Sequence, residues 1–261
     1  DLHPRNPGPQ VAKDLGLPAF GVQHHLAHVA AVQVEHGLEG PVLGLGLDGY
    51  GWGPDGTLWG SEFLAVDGPS YTRLDHGPSF CLPGGESAAE HPWRAAAGLL
   101  WELRGGAAAA EWMEGAVRDE DAVRTAASML HDEVGCLRTT GLGRLYDALA
   151  AILGILDAGS FEGQAPLSLE RLAGEPRTID ISTLPDPDAD GGEYFGAVVD
   201  HLLLCAQSGG DEVEVAAWAQ KAVARWVARR AVRLAREHGL STVVAGGGCL
   251  INGWLRHELR D

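Results

Sequence analysis

The stretch "VLGLGLDGYGWGPDGTLWGSEFLAV", Val42–Val66, constrains this chain more than any other. Its apolar run Val42–Leu47 reads as a buried strand, its glycine-rich middle as a turn, and Leu58–Val66 as the returning strand. The result is a β-hairpin with Asp48 at the tip of its first strand. A two-residue hairpin loop would not need "DGYGWGPDG"; so many glycines suggest a ligand approaching the backbone closely. Asp55-Gly56 is the plain turn. A carboxylate at Asp48 is surrounded by backbone N–H groups and is able to coordinate a metal or orient water. An ordinary Asp-Gly turn is the alternative.

Around the hairpin the patterns are mostly helical. Residues 11–16 read as a short helix and "LPAFGVQ", Leu17–Gln23, as a strand. His24–Glu35 is helical, with Gly37 as its stop. Residues 75–92 read as a loop with an "LPGG" turn. Trp93–Leu103 is a helix, followed by an alanine-rich helical stretch to about residue 134. "GLGRLYDALAAILGI" reads as an amphipathic helix entered through glycines, and "TLPDPDADGGEY" as a surface loop. Residues 211–238 form the clearest helix, with Val215, Trp218, Ala222 and Val227 as its apolar stripe and Gly239 as its stop. "STVVAGGGCLINGWL" reads strand, glycine turn, helix. No repeat or flexible linker interrupts the chain.

Composition narrows the function classes. With 261 residues, 45% of them hydrophobic, the chain buries a real core. Acidic residues outnumber basic ones 36 to 19, for a net charge of −17, which argues against a general nucleic-acid surface and leaves a local basic pocket open. No apolar run reaches membrane-spanning length, and no signal peptide is visible. The four cysteines are far apart and form no CxxC pair, so a reducing cytoplasm is the expected setting. The chain starts in "DLHPRNPGP" without a methionine and stops in "RHELRD", a helical pattern, so a longer protein is expected.

Three stretches carry candidate chemistry. In "VQHHLAH", His24 and His28 lie one helical turn apart and point the same way, a spacing that suits two ligands of one metal ion. A polar helix start with solvated histidines is the alternative; His25 points elsewhere and reads as structural. In "VVAGGGCLIN", the backbone at Gly246, Gly247 and Gly248 is able to lie against a nucleotide, with a helix N-terminus facing anions. A tight strand-to-helix turn fits equally well. "GLGRLYDA" and "FEGQAPLSLE" offer Arg144 for a phosphate and Asp147 or Glu162 for ribose hydroxyls, with surface salt bridges as the plainer alternative. Trp59 and Trp93 flank the glycine stretches and are expected to wall a pocket.

The order "DLHP", "VQHHLAH", "LDGYGWGPDGTLWGSEF", "LPGGESAAEHPWR", "GLGRLYDALAAILG", "FEGQA", "VAGGGCLIN" resembles the C-terminal transferase region of the HypF carbamoyltransferases of nickel–iron hydrogenase maturation, over nearly the whole chain. Wider relatives are the TobZ-type antibiotic O-carbamoyltransferases and the tRNA threonylcarbamoyl-transferase subunit. The resemblance implies an α/β, two-lobed actin/sugar-kinase/Hsp70-like fold whose first lobe is incomplete here. Residues 1–40 would be the tail of that lobe, carrying the histidine-rich helix, and residues 41–261 the second lobe.

It also implies roles for particular residues. Gly49 and Gly51 of the hairpin would touch nucleotide phosphates. Gly246, Gly247, Gly248 and Asn252 would touch adenosine, with Gly143, Arg144, Asp147, Glu162 and Gly163 completing the cofactor site. His24, His28 and Asp48 would be both metal ligands and the catalytic set, for iron, zinc or magnesium. A fourth ligand, an aspartate, is expected beyond Asp261. The chain departs from the family in having "HHLAH" where a further histidine is common and "WGSE" where a second glycine is usual. The family's acylphosphatase, zinc-finger and adenylating regions have no counterpart in this sequence.

The implied reaction starts from carbamoyl phosphate and ATP, passes through carbamoyl adenylate, and ends on the C-terminal cysteine of a HypE-like partner. Neither nucleic acid nor membrane is an expected partner. An antibiotic O-carbamoyltransferase and a non-catalytic nucleotide-binding scaffold are the alternatives.

Overall fold

The apolar run of the hairpin is the centre of the sheet. The computed structural model describes all residues except 157, 189, 190 and 261, and all side chains except those and residues 86 and 87. In it β1 (Val42–Trp52) pairs antiparallel with β2 (Leu58–Asp67) and parallel with β6 (Val243–Gly246). β2 also pairs with β3 (Ser70–His76) and, at Leu58, with β5 (Cys136–Thr139), which carries β4 (Phe80–Pro83). The strand order is β4-β5-β2-β1-β6, a mixed sheet.

Successive side chains of a strand face opposite sides, and β1 uses both. Leu43, Leu45 and Leu47 enter the main core. That core is completed by α3 (Pro92–Arg104), α6 (Leu142–Ile152), α7 (Gln164–Ala173), α8 (Gly191–Ser208), α9 (Glu212–Glu237) and α10 (Gly253–Glu258). The opposite side is covered by α2 (His24–Glu35), whose Leu26 and Val29 meet Val42, Leu64, Val66 and Val244. A third cluster, around Met113 and Leu130, joins α3 to α4 (Gly106–Ala116) and α5 (Glu120–Asp132). The remaining helix, α1 (Gly8–Asp14), has no buried residue and starts three residues before the predicted one.

The glycines of β1 have a cause the sequence reading did not give them. A Cβ on Gly44 would lie 2.6 Å from Val29, and one on Gly46 2.6 Å from His25. One on Gly51 would lie 2.8 Å from His24, and one on Gly246 of β6 2.9 Å from His28. These four glycines let α2 lie directly on the sheet backbone. A helix, rather than a ligand, approaches them.

Several predicted elements differ from the structure. Leu17–Gln23 is not a strand: among the described residues it joins no strand ladder, and the side chains of residues 17–22 are exposed, Phe20 at 86%. Gln23 instead caps α2, its Oε1 accepting from the backbone N–H groups of His25 and Leu26. β1 continues to Trp52, because its ladder with β2 resumes at Gly51↔Trp59 after an irregularity beyond Leu47. Asp48 therefore lies within the strand rather than at its tip, and the turn is confined to Gly53–Thr57, where Gly56 has φ +79°.

Residues 75–92 contain β4 and a 3-10 turn, Gly85–Glu90, besides loop. Of the predicted loop Thr183–Tyr194, residues 189 and 190 lie outside the described residues, and Gly191–Tyr194 open α8. Tyr194 is buried there and donates to the Ala222 carbonyl at 2.9 Å, a tertiary contact that outweighs the local glycine signal. α6 is not amphipathic either; all of its residues are buried between the sheet and the outer helices.

Candidate metal and nucleotide site

Three side chains converge where α2 begins. His24 occupies the first turn of α2 and His28 the next, with ring centroids 4.8 Å apart. Asp48 follows Gly44 and Gly46 at the same two-residue spacing, so its carboxylate leaves β1 toward the helix. Asp48 Oδ2 lies 3.0 Å from His28 Nε2 and 3.3 Å from His24 Nε2, and the two nitrogens are 3.2 Å apart. Among the described residues this is the one group of three or more potential ligands whose donor atoms all fall within 4.8 Å of one another.

The electrostatics suit a cation. Burial pushes the Asp48 carboxyl up, but its contacts with both imidazoles and the Gly49 N–H, at 2.8 Å, outweigh that and hold it well below the usual carboxylate range. Two imidazole nitrogens and one ionised oxygen form a donor set for iron, zinc or another divalent ion, without selecting among them. His25 is not part of it. Its ring is buried against Gly46, and burial, with His24 nearby, lowers its pKa to about 3. It stays neutral, its Nδ1 3.0 Å from the Gln23 amide nitrogen.

Past Asp48 a cavity of about 230 Å3 opens between β1, α6, α7 and the turn after β6. Of the predicted cofactor residues, Gly49, Gly143, Arg144, Glu162, Gly163, Gly248 and Asn252 line it, together with Asp48. Gly51 and Gly246 do not, since they face α2. Gly247 does not either: at φ +117° its Cα lies against the β1 backbone, where a Cβ would meet the Leu47 carbonyl oxygen at 2.3 Å. A Cβ on Gly143 would lie 2.7 Å from the Gly49 Cα, so α6 also reaches the strand backbone. The side chain of Asn252 caps α10 and donates to Gln220 at 3.0 Å.

Arg144 and Asp147 are buried rather than on the surface. Arg144 Nε lies 3.2 Å from Asp147 Oδ2, and Nη2 lies 3.5 Å from Glu162 Oε1. Nε and Nη1 make no hydrogen bond among the described residues. A buried guanidinium with spare donors beside a cavity suits an anionic ligand. Asp147 sits behind it and outside the cavity lining, so its geometry is that of Arg144's partner rather than of a ribose ligand. Burial pushes the Asp147 carboxyl up to about 7, against the opposing pull of Arg144 and with a smaller push from Glu162.

Trp59 and Trp93 wall no part of this cavity. Trp59 lies under the Arg73 guanidinium, 4.0 Å from the ring centroid, and Trp93 packs beside the cluster of α3, α4 and α5. Sequence reasoning missed Tyr146, Glu170 and Cys249, all of which line the cavity. Tyr146, one turn after Gly143, was the findable one by helical spacing. Its buried hydroxyl has no hydrogen-bond partner among the described residues. Burial, with the charge of Asp48, pushes the Cys249 thiol well above its ordinary range. A larger cavity, about 610 Å3, lies between α6, α7, α8 and α9 and holds none of the predicted site residues.

Known proteins are similar to this chain in sequence and in fold. Residues 44–261 match the family model described as carbamoyltransferase, Kae1-like domain, second subdomain, and residues 1–35 match the HypF Kae1-like domain. The carbamoyltransferase HypF homolog of Cupriavidus necator is 40% identical over 270 residues, covering 98% of this chain and 67% of that protein. Carbamoyltransferase HypF2 of the same organism is 36% identical, covering 99% of this chain and 35% of its own length. The crystal structure of full-length HypF in the phosphate- and nucleotide-bound form superimposes with a TM-score of 0.84 at 28% identity, over all of this chain and 40% of that one. The chain thus spans two thirds of one relative and little more than a third of the others. With its two-histidine, one-aspartate cluster beside a glycine-framed cavity, the chain belongs to the HypF carbamoyltransferase family.

Proposed function

We propose that this chain is the transferase portion of a HypF-type enzyme. It holds carbamoyl adenylate, made from carbamoyl phosphate and ATP, and passes the carbamoyl group to the C-terminal cysteine of a HypE-like partner in hydrogenase maturation. The observation that carries this reading is the adjacency of two features: the His24–His28–Asp48 cluster and a cavity carrying the spare donors of Arg144, with Asp48 bordering both. On the same reading the chain divides near residue 40, with α2 belonging to a first lobe and the remainder to a second.

The transfer is acyl chemistry. The partner's thiolate adds to the carbamoyl carbon, a C–S bond forms, and the C–O bond to the phosphate breaks, its electron pair leaving with AMP. A divalent cation on His24, His28 and Asp48 would supply Lewis-acid polarisation of the carbonyl or phosphate oxygen. Arg144 grips the phosphate as a charged, partly unsatisfied donor. The backbone at Gly49 and Gly248 permits close approach, because a side chain at Gly248 would crowd Asp48 Oδ1 at 3.1 Å. Holding the adenylate against the entry path of the thiol supplies proximity. Cys249 stays a thiol and so does not compete with the incoming nucleophile.

The test is mass spectrometry of a HypE-like protein ending in cysteine, incubated with the full-length enzyme, carbamoyl phosphate and ATP. The expected result is a carbamoyl-sized mass gain on that cysteine, lost in His24→Ala and in His28→Ala while both variants stay folded. Transfer at the wild-type rate in either variant would sink the assignment of the cluster. No gain with the wild-type enzyme while nucleotide still binds would favour a scaffold.

A further inference from the structure

The first residues of the chain, "DLHP", have no part in the chemistry above, yet they reach the cluster. Asp1 Oδ2 lies 2.7 Å from His24 Nδ1, on the side of the ring opposite Nε2. We infer that Asp1 is a positioning residue for His24: its carboxylate keeps the proton on Nδ1 and thereby presents the Nε2 lone pair to the cation site shared with His28 and Asp48. This inference rests on the metal-site reading given above.

An ionised carboxylate only accepts hydrogen bonds, so the nitrogen facing Asp1 must be the one that carries a proton. In the imidazolium both ring nitrogens donate, one to Asp1 and one toward Asp48. In the neutral ring the Nδ1 proton remains and the exposed lone pair is on Nε2, the atom 3.2 Å from His28 Nε2 and 3.3 Å from Asp48 Oδ2. A histidine that ligates a metal through one nitrogen commonly donates its other N–H to a carboxylate, which fixes tautomer and ring orientation together. The pair is partly solvated, with His24 at 31% and Asp1 at 30% side-chain exposure. Water screens a bare Coulomb attraction there, so orientation is the larger effect.

Asp1 is itself held in place. Its Oδ1 accepts from the His3 backbone N–H at 2.8 Å, and its carbonyl accepts from the Asn6 side chain at 3.1 Å. The His3 ring stands edge-on to Trp52, the last residue of β1, with centroids 5.2 Å apart. Leu2 lies against Gly21, where a Cβ would meet it at 2.8 Å. The loop is therefore braced on the same strand that carries Asp48 and on the segment that leads into α2. Those two supports set the distance from Asp1 to the ring.

The experiment is a Zn2+ titration of chelator-stripped full-length protein against a chromophoric chelator, for wild type, His24→Ala, Asp1→Asn and Asp1→Ala, with the unfolding midpoint of each recorded in excess EDTA. Wild type is expected to bind and His24→Ala to lose binding. Asp1→Ala should bind roughly 10- to 100-fold more weakly, the usual effect of removing such a partner. Asp1→Asn should fall between them, because its amide oxygen still accepts from Nδ1–H without the charge. The EDTA midpoints of both Asp1 variants should match wild type. Wild-type affinity in Asp1→Ala, with binding lost in His24→Ala, would overturn the role of Asp1 and leave the metal site standing. Wild-type affinity in His24→Ala would overturn the metal site and this inference with it. Weakened binding matched by lowered EDTA midpoints in both Asp1 variants would make Asp1 structural and would also overturn it.

Discussion

The two sides of β1 are built from one alternating sequence and do opposite things. Toward the main core it presents Leu43, Leu45 and Leu47, large side chains that fill space. Toward α2 it presents Gly44, Gly46 and then Asp48, two absences and a charge. The first side is held by volume. The second is held by closeness, with the helix lying where side chains would otherwise stand. The lesson is that a run of small residues in a strand need not mark a ligand; here it brings a helix near enough for its histidines to reach one carboxylate.

Substitutions on the two sides should therefore fail differently. Leu45→Ala opens a cavity in a fully buried site and should cost about 2–5 kcal/mol in urea unfolding, while Zn2+ affinity per folded molecule stays near wild type. Arg144→Gln removes a buried charged donor beside the cavity and should weaken nucleotide binding by about 1.5–3 kcal/mol in calorimetry, with the cation site unaffected. Gly46→Ala must displace His25, whose Cβ would be 2.6 Å away, and should cost about 1–3 kcal/mol. Unlike Leu45→Ala, it should also lower Zn2+ affinity, because His24 and His28 ride on the displaced helix. Equal metal affinity in the two variants would remove the distinction between the sides.

A smaller effect separates them by pH. On the α2 side the pKa of His25 is lowered to about 3 from a reference of 6.5, so the unfolded chain takes up the proton first. The stability this group contributes is full above about pH 6.5 and is lost as pH falls toward 3. On the other side, Asp147 is raised from 3.8 to about 7, so the folded chain keeps its proton longer. Its contribution is full below about pH 4 and is lost as pH rises through 7. Relative to wild type in EDTA, Asp147→Asn should flatten the decline on the alkaline side, and His25→Gln the decline on the acid side. A difference of the opposite sign in either variant would refute the corresponding shift.

How much of this was legible follows the range of the interactions. α2 was bounded correctly by its apolar period and by Gly37, both local signals, and the hairpin was found from its apolar run and glycine turn, though its first strand continues to Trp52. The convergence of His24, His28 and Asp48 followed from helical spacing and from the family resemblance together. What escaped depended on distant partners. Leu17–Gln23 carries a strand's composition but has no strand beside it. Tyr194 sits in a glycine-rich stretch yet is anchored by Ala222 on another helix. The burial of Arg144 and Asp147 was invisible because α6, read alone, looks two-faced. Asp1 lies 23 residues from His24, and no period links them.

The enclosure of α6 sets a timescale. All 11 of its residues are shielded, so its amide hydrogens are expected to trade with solvent deuterium only when the surrounding layers separate, near the global opening limit. Arg144 is therefore carried by the segment that opens last. Leu167 on α7 and Ile251 in the turn after β6 line the same cavity at 42% and 65% exposure. Exchange there should run orders of magnitude faster, so a bound nucleotide should reveal itself as slowed exchange at those rims while α6 stays as it was.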